Sequence, residues 1–223
     1  MSARATLALD AATYTGSVAV IVGSEVLAER DVAMRGVHEE RLLPAVAEAL
    51  EAANVTVRDL GRIVCGAGPG SFTSLRIAGA IAKGIATARA VPLFAVPSLA
   101  LVVAGAEHTG APGRWLAVLD AMRGDVYAQP FDVRGDWSVA PLAAPALFPR
   151  AELSARAAAV CATPIGPAEP VAAAPRAGGV TRLEGVLAAS GAVDLATWEP
   201  EYGRLAEAQV KWERAHGRPL PGA

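Results

Sequence analysis

The stretch GAGPGSFTSLRIAGAIAKG, residues 66–84, decides the fold because a glycine-rich turn runs directly into a helix of small residues. The apolar run before it, RIVCGA at residues 62–67, predicts a buried strand. Glycine permits positive φ angles and close backbone approach, and the turn carries it at Gly66, Gly68 and Gly70. A serine at the end of the turn stands where a helix N-cap is expected. The stretch is therefore a strand–turn–helix unit of an α/β fold.

The turn has two interpretations. The N-terminus of the following helix presents free amides and a partial positive charge, which suits a phosphate held by Gly68, Gly70 and Ser71. However, the pattern is neither G-x-x-x-x-G-K-[ST] nor G-x-G-x-x-G, and Lys83 lies about three helical turns away. A plain strand-to-helix joint explains the turn at least as well, so both interpretations stay open.

The helix that we predict from Phe72 to Arg89 consists largely of small residues. Its internal glycines, Gly79 and Gly84, each cost about 1 kcal/mol relative to alanine. Close packing of a second helix would offset that cost, because small side chains let helices approach closely. The second helix could belong to this chain or to another subunit. We favour another subunit, since the predicted helix at residues 42–53 also presents several alanines.

The chain repeats one pattern of strands. Residues 5–32 read as strand, Asp-Ala, turn, strand, turn and strand, and residues 115–142 follow the same order. Asp10 in the first copy corresponds to Asp120 in the second. A repeat of this length predicts two related α/β lobes. We place them at residues 1–106, with the dimerisation helices, and at residues 107–223, a smaller lobe with a C-terminal helix.

Asp10 and Asp120 each end a predicted strand and would face the cleft between the lobes. Paired carboxylates there could hold Mg²⁺ through water and orient a nucleotide phosphate. Alternatively, each aspartate serves only its own turn by accepting hydrogen bonds from nearby amides. We favour the turn interpretation and assign neither residue a catalytic role.

Composition and missing motifs exclude several classes of function. With 20 Lys plus Arg against 22 Asp plus Glu, the net charge of −2 argues against a broad nucleic-acid-binding face. His38 begins HEERL, but Leu42 replaces the second histidine of H-E-x-x-H, so we expect no metal site. No serine or cysteine triad pattern occurs, so we expect no catalytic residue. Cys65 and Cys161 are predicted to be buried, reduced thiols.

The two ends of the chain carry weaker signals. The N-terminus reaches a charged residue too early for a signal peptide, and no apolar run is long enough to cross a membrane, so we expect a cytoplasmic protein. The second half is rich in Ala and Pro. There we predict helices at residues 151–156 and 181–189, a strand at residues 157–161 and a C-terminal helix at residues 204–214.

Taken together, several segments resemble one family. LALDAAT…GSVAV, HEERLLP, GAGPGSFTSLRIAGAIAKGIA, VPSL, DAMRGDVYAQPF and PEYGRLAEAQVKWE are similar, in order and spacing, to the bacterial TsaB (YeaZ) proteins. GPGSFTSLRI is the most specific of these segments. Ser74 departs from the pattern, since the family usually has glycine there.

The resemblance implies an actin/Hsp70-like fold of two lobes built from duplicated βββαβα units. It implies a non-catalytic scaffold in the formation of N6-threonylcarbamoyladenosine in tRNA. A TsaD-type paralogue would transfer the threonylcarbamoyl group, and a TsaE-type protein would supply an ATPase. The chain would form a homodimer in isolation, meet tRNA only through the complex and contact no membrane.

The resemblance also implies where ligands and partners would bind. No cofactor is firmly implied; ATP and Mg²⁺ would bind only in the assembled complex, at a vestigial site of Asp10, Gly68, Gly70, Ser71 and Asp120. The partner interface would lie on two helices of the first lobe. Its residues would be His38, Leu42, Leu43, Val46, Phe72, Leu75, Arg76, Gly79, Ala82, Lys83 and Ala86.

A second hypothesis is a stand-alone ATP-dependent kinase or transferase of the actin-like fold. It would use Asp10, the glycine turn and Asp120, and it predicts that the isolated chain binds Mg·ATP. The scaffold hypothesis predicts little or no such binding. A protease is a third hypothesis, and it lacks both a triad and a second metal-binding histidine.

Overall fold

The structure is a computed structural model that describes residues 4–34, 40–106, 112–203 and 216–217. Its first sheet has five strands in the order β3-β2-β1-β4-β5. These strands are β1 (Ala5–Asp10), β2 (Thr15–Val22), β3 (Glu25–Ala33), β4 (Leu60–Gly66) and β5 (Leu93–Val96). The first three form an antiparallel meander, and β4 and β5 add to it in parallel.

The second sheet repeats this plan. Read in the same direction as the first sheet, its strand order is β8-β7-β6-β10-β11, and β9 also pairs with β7. Its strands are β6 (Gly113–Asp120), β7 (Asp125–Val133), β8 (Val139–Pro141), β9 (Ala146–Pro149), β10 (Thr163–Gly166) and β11 (Val171–Ala172). Strands β6, β7 and β8 correspond to β1, β2 and β3, while β10 and β11 correspond to β4 and β5. The repeated strand pattern and the two-lobed α/β fold that we predicted are therefore confirmed.

Helices form the layers around and between the two sheets. On the outer face of the first sheet lie α1 (Leu42–Ala52) and α2 (Phe72–Arg89). Between the sheets lie α3 (Ser98–Ala104), a 3₁₀ helix at Ala177–Arg182 and α5 (Glu184–Ser190). On the outer face of the second sheet lies the short α4 (Leu153–Ala159).

The core between the lobes is continuous, because α3 is apolar on every face. All seven residues of this helix are buried, and they pack against residues of both sheets. A helix that is hydrophobic all round is stable only when both sides are covered. The boundary that we place at residues 106 and 107 follows α3 and stays a prediction.

Two ion pairs also connect the first sheet to the segment after the second sheet. Arg176 lies 2.7 Å from Glu29 of β3, and Glu29 also accepts a hydrogen bond of 2.7 Å from the Gly178 amide. Arg62 of β4 pairs with Glu184 of α5. Two ion pairs and one hydrogen bond therefore hold residues 176–184 against the first sheet.

Several sequence predictions in the second half need correction. Residues 157–161 do not form a strand, because α4 continues to Ala159 and the next strand begins at Thr163. Cys161 is exposed, whereas Cys65 is buried as predicted. The predicted helix at residues 204–214 lies outside the described residues. None of the described helices is both long and apolar enough to span a bilayer.

Candidate functional site

The site begins with Asp10, at the carboxyl end of the central strand β1. Asp10 is fully buried, with 0% of its surface exposed. One carboxyl oxygen accepts a hydrogen bond of 2.9 Å from the Ala12 amide, and the other accepts one from the Ser98 hydroxyl. Both oxygens are thus occupied by donors of the chain itself.

A relay connects Asp10 to the glycine turn. The Ser98 hydroxyl, which donates to Asp10, accepts a hydrogen bond of 3.0 Å from the Gly68 amide. Ser98 is the first residue of α3, and Pro97 holds the N-cap position. Gly66 makes room for the carboxylate, since a Cβ atom there would lie 1.8 Å from an Asp10 oxygen. The buried aspartate therefore organises the turn from within.

Burial sets the protonation behaviour of this carboxyl. Removal from water raises the pKa of Asp10, because burial disfavours the charged form, and the hydrogen bonds from Ser98 and Ala12 oppose that rise. The pKa of the Cys65 thiol is also raised, mainly because the thiol is buried and secondly because the Asp10 carboxylate is nearby. Cys65 is consequently an inert, buried thiol.

Asp120 occupies the equivalent strand end of the second lobe in different surroundings. Its side chain is exposed and accepts a hydrogen bond of 3.0 Å from the Met122 amide. The two turns meet where the Tyr14 hydroxyl lies 3.9 Å from the Met122 sulfur. Asp120 therefore accepts a hydrogen bond within its own turn, whereas Asp10 bonds both its own turn and the more distant Ser98.

The glycine turn packs against the turn that follows β1. The Ser71 amide donates a hydrogen bond of 2.8 Å to the Ala12 carbonyl. A Cβ atom at Gly70 would lie only 2.2 Å from that oxygen. Ser71 holds the N-cap position of α2, but its hydroxyl lies 3.0 Å from the Ser74 hydroxyl and makes no capping bond. The space left by the missing side chain of Gly70 is therefore filled by the chain's own backbone at Ala12.

A C-terminal strap, residues 192–203, covers the turn and the first half of α2. The strap starts at the edge of the first sheet, where Ala192 bridges to Phe94. It ends near the glycine turn, where the Glu201 amide donates a hydrogen bond of 2.7 Å to the Ala67 carbonyl. Gly68 has a φ of +91°, and a Cβ atom there would lie 2.2 Å from the Glu201 carbonyl oxygen.

The strap also explains one of the two helix glycines. A Cβ atom at Gly79 would lie 3.1 Å from Pro200, and Trp198 is the next residue in reach. Lys83 donates a hydrogen bond of 2.9 Å to the Trp198 carbonyl. By contrast, a Cβ atom at Gly84 would meet nothing within 4 Å. We expected a foreign helix at Gly79, whereas the chain's own strap lies there.

The predicted interface residues divide between the core and the surface. Six of them are buried within the chain and offer no side chain to a partner: Leu42, Val46, Leu75, Gly79, Ala82 and Ala86. Gly79 lies against the strap, and the small or aliphatic side chains of the other five pack in the chain's own core. Leu43 and Arg76 are exposed, and Phe72 and Lys83 are half-buried. His38 lies outside the described residues.

The exposed side of α2 carries a shallow apolar groove. It is lined by Phe72, Thr73, Arg76, Ile77 and Ala80. The Tyr202 ring of the strap packs on Phe72 with 4.5 Å between ring centroids. The Arg76 guanidinium lies 5.3 Å from the centre of the Phe72 ring.

Sequence reasoning missed three of these lining residues, Thr73, Ile77 and Ala80. Their spacing of four and three along a helix was the available signal. Within the described ranges, no group of three or more His, Cys, Asp and Glu side chains is arranged to hold a metal ion.

One protein-family model matches the middle of this chain. The family described as TsaD, tRNA N6-adenosine threonylcarbamoyltransferase, matches residues 31–147. This range is more than half of the chain and includes α1, α2 and the glycine turn.

Curated relatives match the same part of the chain. The chain is 35% identical to the tRNA threonylcarbamoyladenosine biosynthesis protein TsaB of Escherichia coli (strain K12), over 59% of this chain and 57% of that protein. It is 36% identical to the protein of the same name in Bacillus subtilis (strain 168), over 54% of this chain and 52% of that protein. The matched part thus spans about half the length of these relatives.

Solved structures match almost the whole chain. YeaZ from Pseudomonas aeruginosa superposes with a TM-score of 0.72 at 27% identity, over 89% of this chain and 99% of that chain. A protein of the same organism described as similar to peptidase YEAZ superposes with a TM-score of 0.76 at 28% identity, over 90% and 100%.

Proposed function

This chain belongs to the TsaB (YeaZ) group of the family that the matching model describes, and from that premise we propose that it is a non-catalytic scaffold subunit in the formation of N6-threonylcarbamoyladenosine in tRNA. Its partner would be a TsaD-type paralogue that carries out the transfer, with a TsaE-type ATPase in the same system. The chain would act in the cytoplasm and reach tRNA through the complex.

One observation carries the non-catalytic part of the proposal. Asp10, which a kinase or transferase of this fold would use, has both carboxyl oxygens bonded within the core. The glycine turn is bonded in the same way to Ala12 and Glu201. A ligand would have to displace these internal contacts, which cost free energy to break.

The partner surface that we propose is the outward side of α1 and α2. Leu43 is 52% exposed on α1, and the apolar groove on α2 has an arginine beside an aromatic ring. Aromatic and arginine side chains next to apolar surface are the composition of interface hot spots. Gly84 adds an open backbone position one turn further along α2. A helix of the partner, or of a second copy in the homodimer, could lie close to such a surface.

Reconstitution tests the function. Purified chain, a TsaD-type protein, a TsaE-type protein and tRNA would be combined with the threonylcarbamoyl donor, and the modified nucleoside would be measured by mass spectrometry. We expect modification to fall at least tenfold when this chain is omitted, and the chain alone to give none. If the chain alone modifies tRNA, or if omitting it changes nothing, the proposal is wrong.

A matched pair of variants tests the surface. Ala80→Arg places a long charged side chain in the groove on α2, while Leu142→Arg does so at a residue that is 48% exposed on the second lobe. We expect Ala80→Arg to weaken binding of the TsaD-type partner at least tenfold, and Leu142→Arg to change it less than twofold. Circular dichroism should show both variants folded. Equal binding by both variants would place the interface elsewhere.

The stand-alone kinase or transferase remains the second candidate, since it needs both strand-end aspartates and both are present. Titration of Mg·ATP into the isolated chain separates the two. Micromolar binding that Asp10→Asn abolishes would favour the enzyme.

A further inference from the structure

The last described residues of the strap, Pro200–Gly203, cross from the first lobe to the second. Pro200 is buried on α2 at Gly79. Glu201 then pairs with the glycine turn through its amide, which donates to the Ala67 carbonyl. These contacts place two peptide units of the strap directly over the turn.

At its far end, the same segment reaches the second sheet. Gly203 has a φ of +72°, and a Cβ atom there would lie 2.5 Å from the Tyr127 hydroxyl of β7. Tyr127 faces the core between the lobes. The segment is thus in contact with α2, the glycine turn and the second lobe.

Three glycines make this path possible. Gly68, Gly79 and Gly203 each lack the Cβ atom that would collide with, or crowd, the segment or its seat. Two of them, Gly68 and Gly203, also have positive φ angles, which other residues adopt only at a cost. Glycine at these three positions therefore lets the segment pack where it does.

We propose that Pro200–Gly203 form a closed latch that shields the glycine turn and ties the second lobe to α2. Access to the turn is then controlled by local release of the latch, and not by a hinge between the lobes. The continuous core around α3 leaves a hinge little freedom, because it packs against both sheets. This inference does not rest on the proposed function.

The chain offers a matched pair for testing the latch. Gly79→Val and Gly84→Val make the same change in the same helix, so their effects on helix propensity are alike. The atoms within reach of a Cβ at Gly79 belong to Pro200 and Trp198, both in the strap, whereas the space beside Gly84 is open. Only the first variant should push the strap away.

The measurement is amide hydrogen exchange on the isolated full chain. We expect Gly79→Val to speed exchange of the Glu201, Gly68 and Ser71 amides at least tenfold, without changing the paired amides of β1 and β4. Gly84→Val should change none of them. Faster exchange at Glu201 alone would overturn the shielding role, and faster exchange throughout β1 and β4 would mean that the latch does not open locally.

Tyr202→Ala provides a second variant that adds no bulk. It removes the ring that packs on Phe72, and we expect the same three amides to exchange at least threefold faster. If Gly79→Val does not fold, this variant decides the matter. Unchanged exchange in Tyr202→Ala would then overturn the proposal.

Discussion

The two lobes share one strand order but differ in what covers their sheets. In the first lobe β4 leads to β5 through the 18-residue helix α2, whereas in the second lobe residues 167–170 alone join β10 to β11. The turn after β4 is buried beneath the strap, and Asp10 lies under it. The equivalent Asp120 is exposed. The two lobes thus share the duplicated strands, and the first lobe differs by having the long helix α2 and the strap that covers the glycine turn.

A glycine ends both β4 and its counterpart β10, and its replacement should have the largest effect. Gly66→Ala would place a Cβ atom 1.8 Å from an Asp10 oxygen, while Gly166→Ala would place one 2.2 Å from the Val118 carbonyl. We expect each to lower the free energy of unfolding by about 3 kcal/mol or more, measured in urea.

A second substitution should separate these two cases. Adding Asp10→Ala removes the two atoms that lie nearest to the new Cβ atom of Gly66→Ala, the carboxyl oxygen and the carboxyl carbon. The double variant should therefore lose less free energy of unfolding than the sum of the two single losses, by about 1 kcal/mol or more. No side-chain truncation can remove the backbone oxygen that obstructs Gly166→Ala. Simple additivity of Gly66→Ala and Asp10→Ala would contradict the packing described for Asp10.

The two strand-end aspartates should differ next. Asp10→Ala leaves the Ala12 amide and the Ser98 hydroxyl without their buried acceptor, and we expect a loss of about 2 kcal/mol. Asp120→Ala removes one exposed hydrogen bond from Met122, and we expect a change within about 0.5 kcal/mol. Thermal and urea unfolding of both variants would measure this. Similar losses would show that the two turns are alike in energy.

The two ion pairs that link the lobes offer a smaller contrast. The Glu29 side chain is 18% exposed and also accepts a bond from Gly178, while Glu184 is 55% exposed. We expect Glu29→Gln to cost about 1 kcal/mol and Glu184→Gln less than about 0.5 kcal/mol, because solvent screens exposed pairs. Added salt should reduce the effect of Glu184→Gln further. Equal costs would mean that burial does not govern these links.

Much of this architecture could be predicted from the sequence, because strand periodicity and the Asp-Ala repeat are local patterns. The first three strands and α2 follow from such patterns. The two-lobed plan followed from the match between residues 5–32 and 115–142.

Which side of α2 is buried within the chain and which is exposed could not be predicted in the same way. Alanine and glycine suit a buried helix face as well as a protein interface, so Ala82 and Ala86 gave no means of choosing. The strap is separated from Gly79 by more than a hundred residues, and no local pattern connects Pro200 with that glycine. The exposure of Cys161 likewise depends on where α4 ends.

The expected effect of Asp10→Asn is also small, and it depends on pH. Burial raises the pKa of Asp10 in the folded protein above the value of the unfolded chain. The folded state therefore binds the proton more tightly, and this group lowers stability as the pH rises from the unfolded pKa through the folded pKa. Above that window the carboxylate is charged, and burying the charge is unfavourable.

Asparagine keeps the shape, carries no charge and can still accept the bond from Ala12, while its amide group can donate to the Ser98 hydroxyl instead of accepting from it. We expect Asp10→Asn to be as stable as the parent protein or more stable at pH 7, by no more than about 1 kcal/mol, with the difference shrinking as the pH falls through the window. Urea unfolding at a series of pH values would measure it, with Asp120→Asn as the control for loss of one carboxylate at an exposed turn. An Asp10→Asn variant that is less stable at neutral pH, and gains relative to the parent on acidification, would show that the buried carboxylate is favourable where it lies.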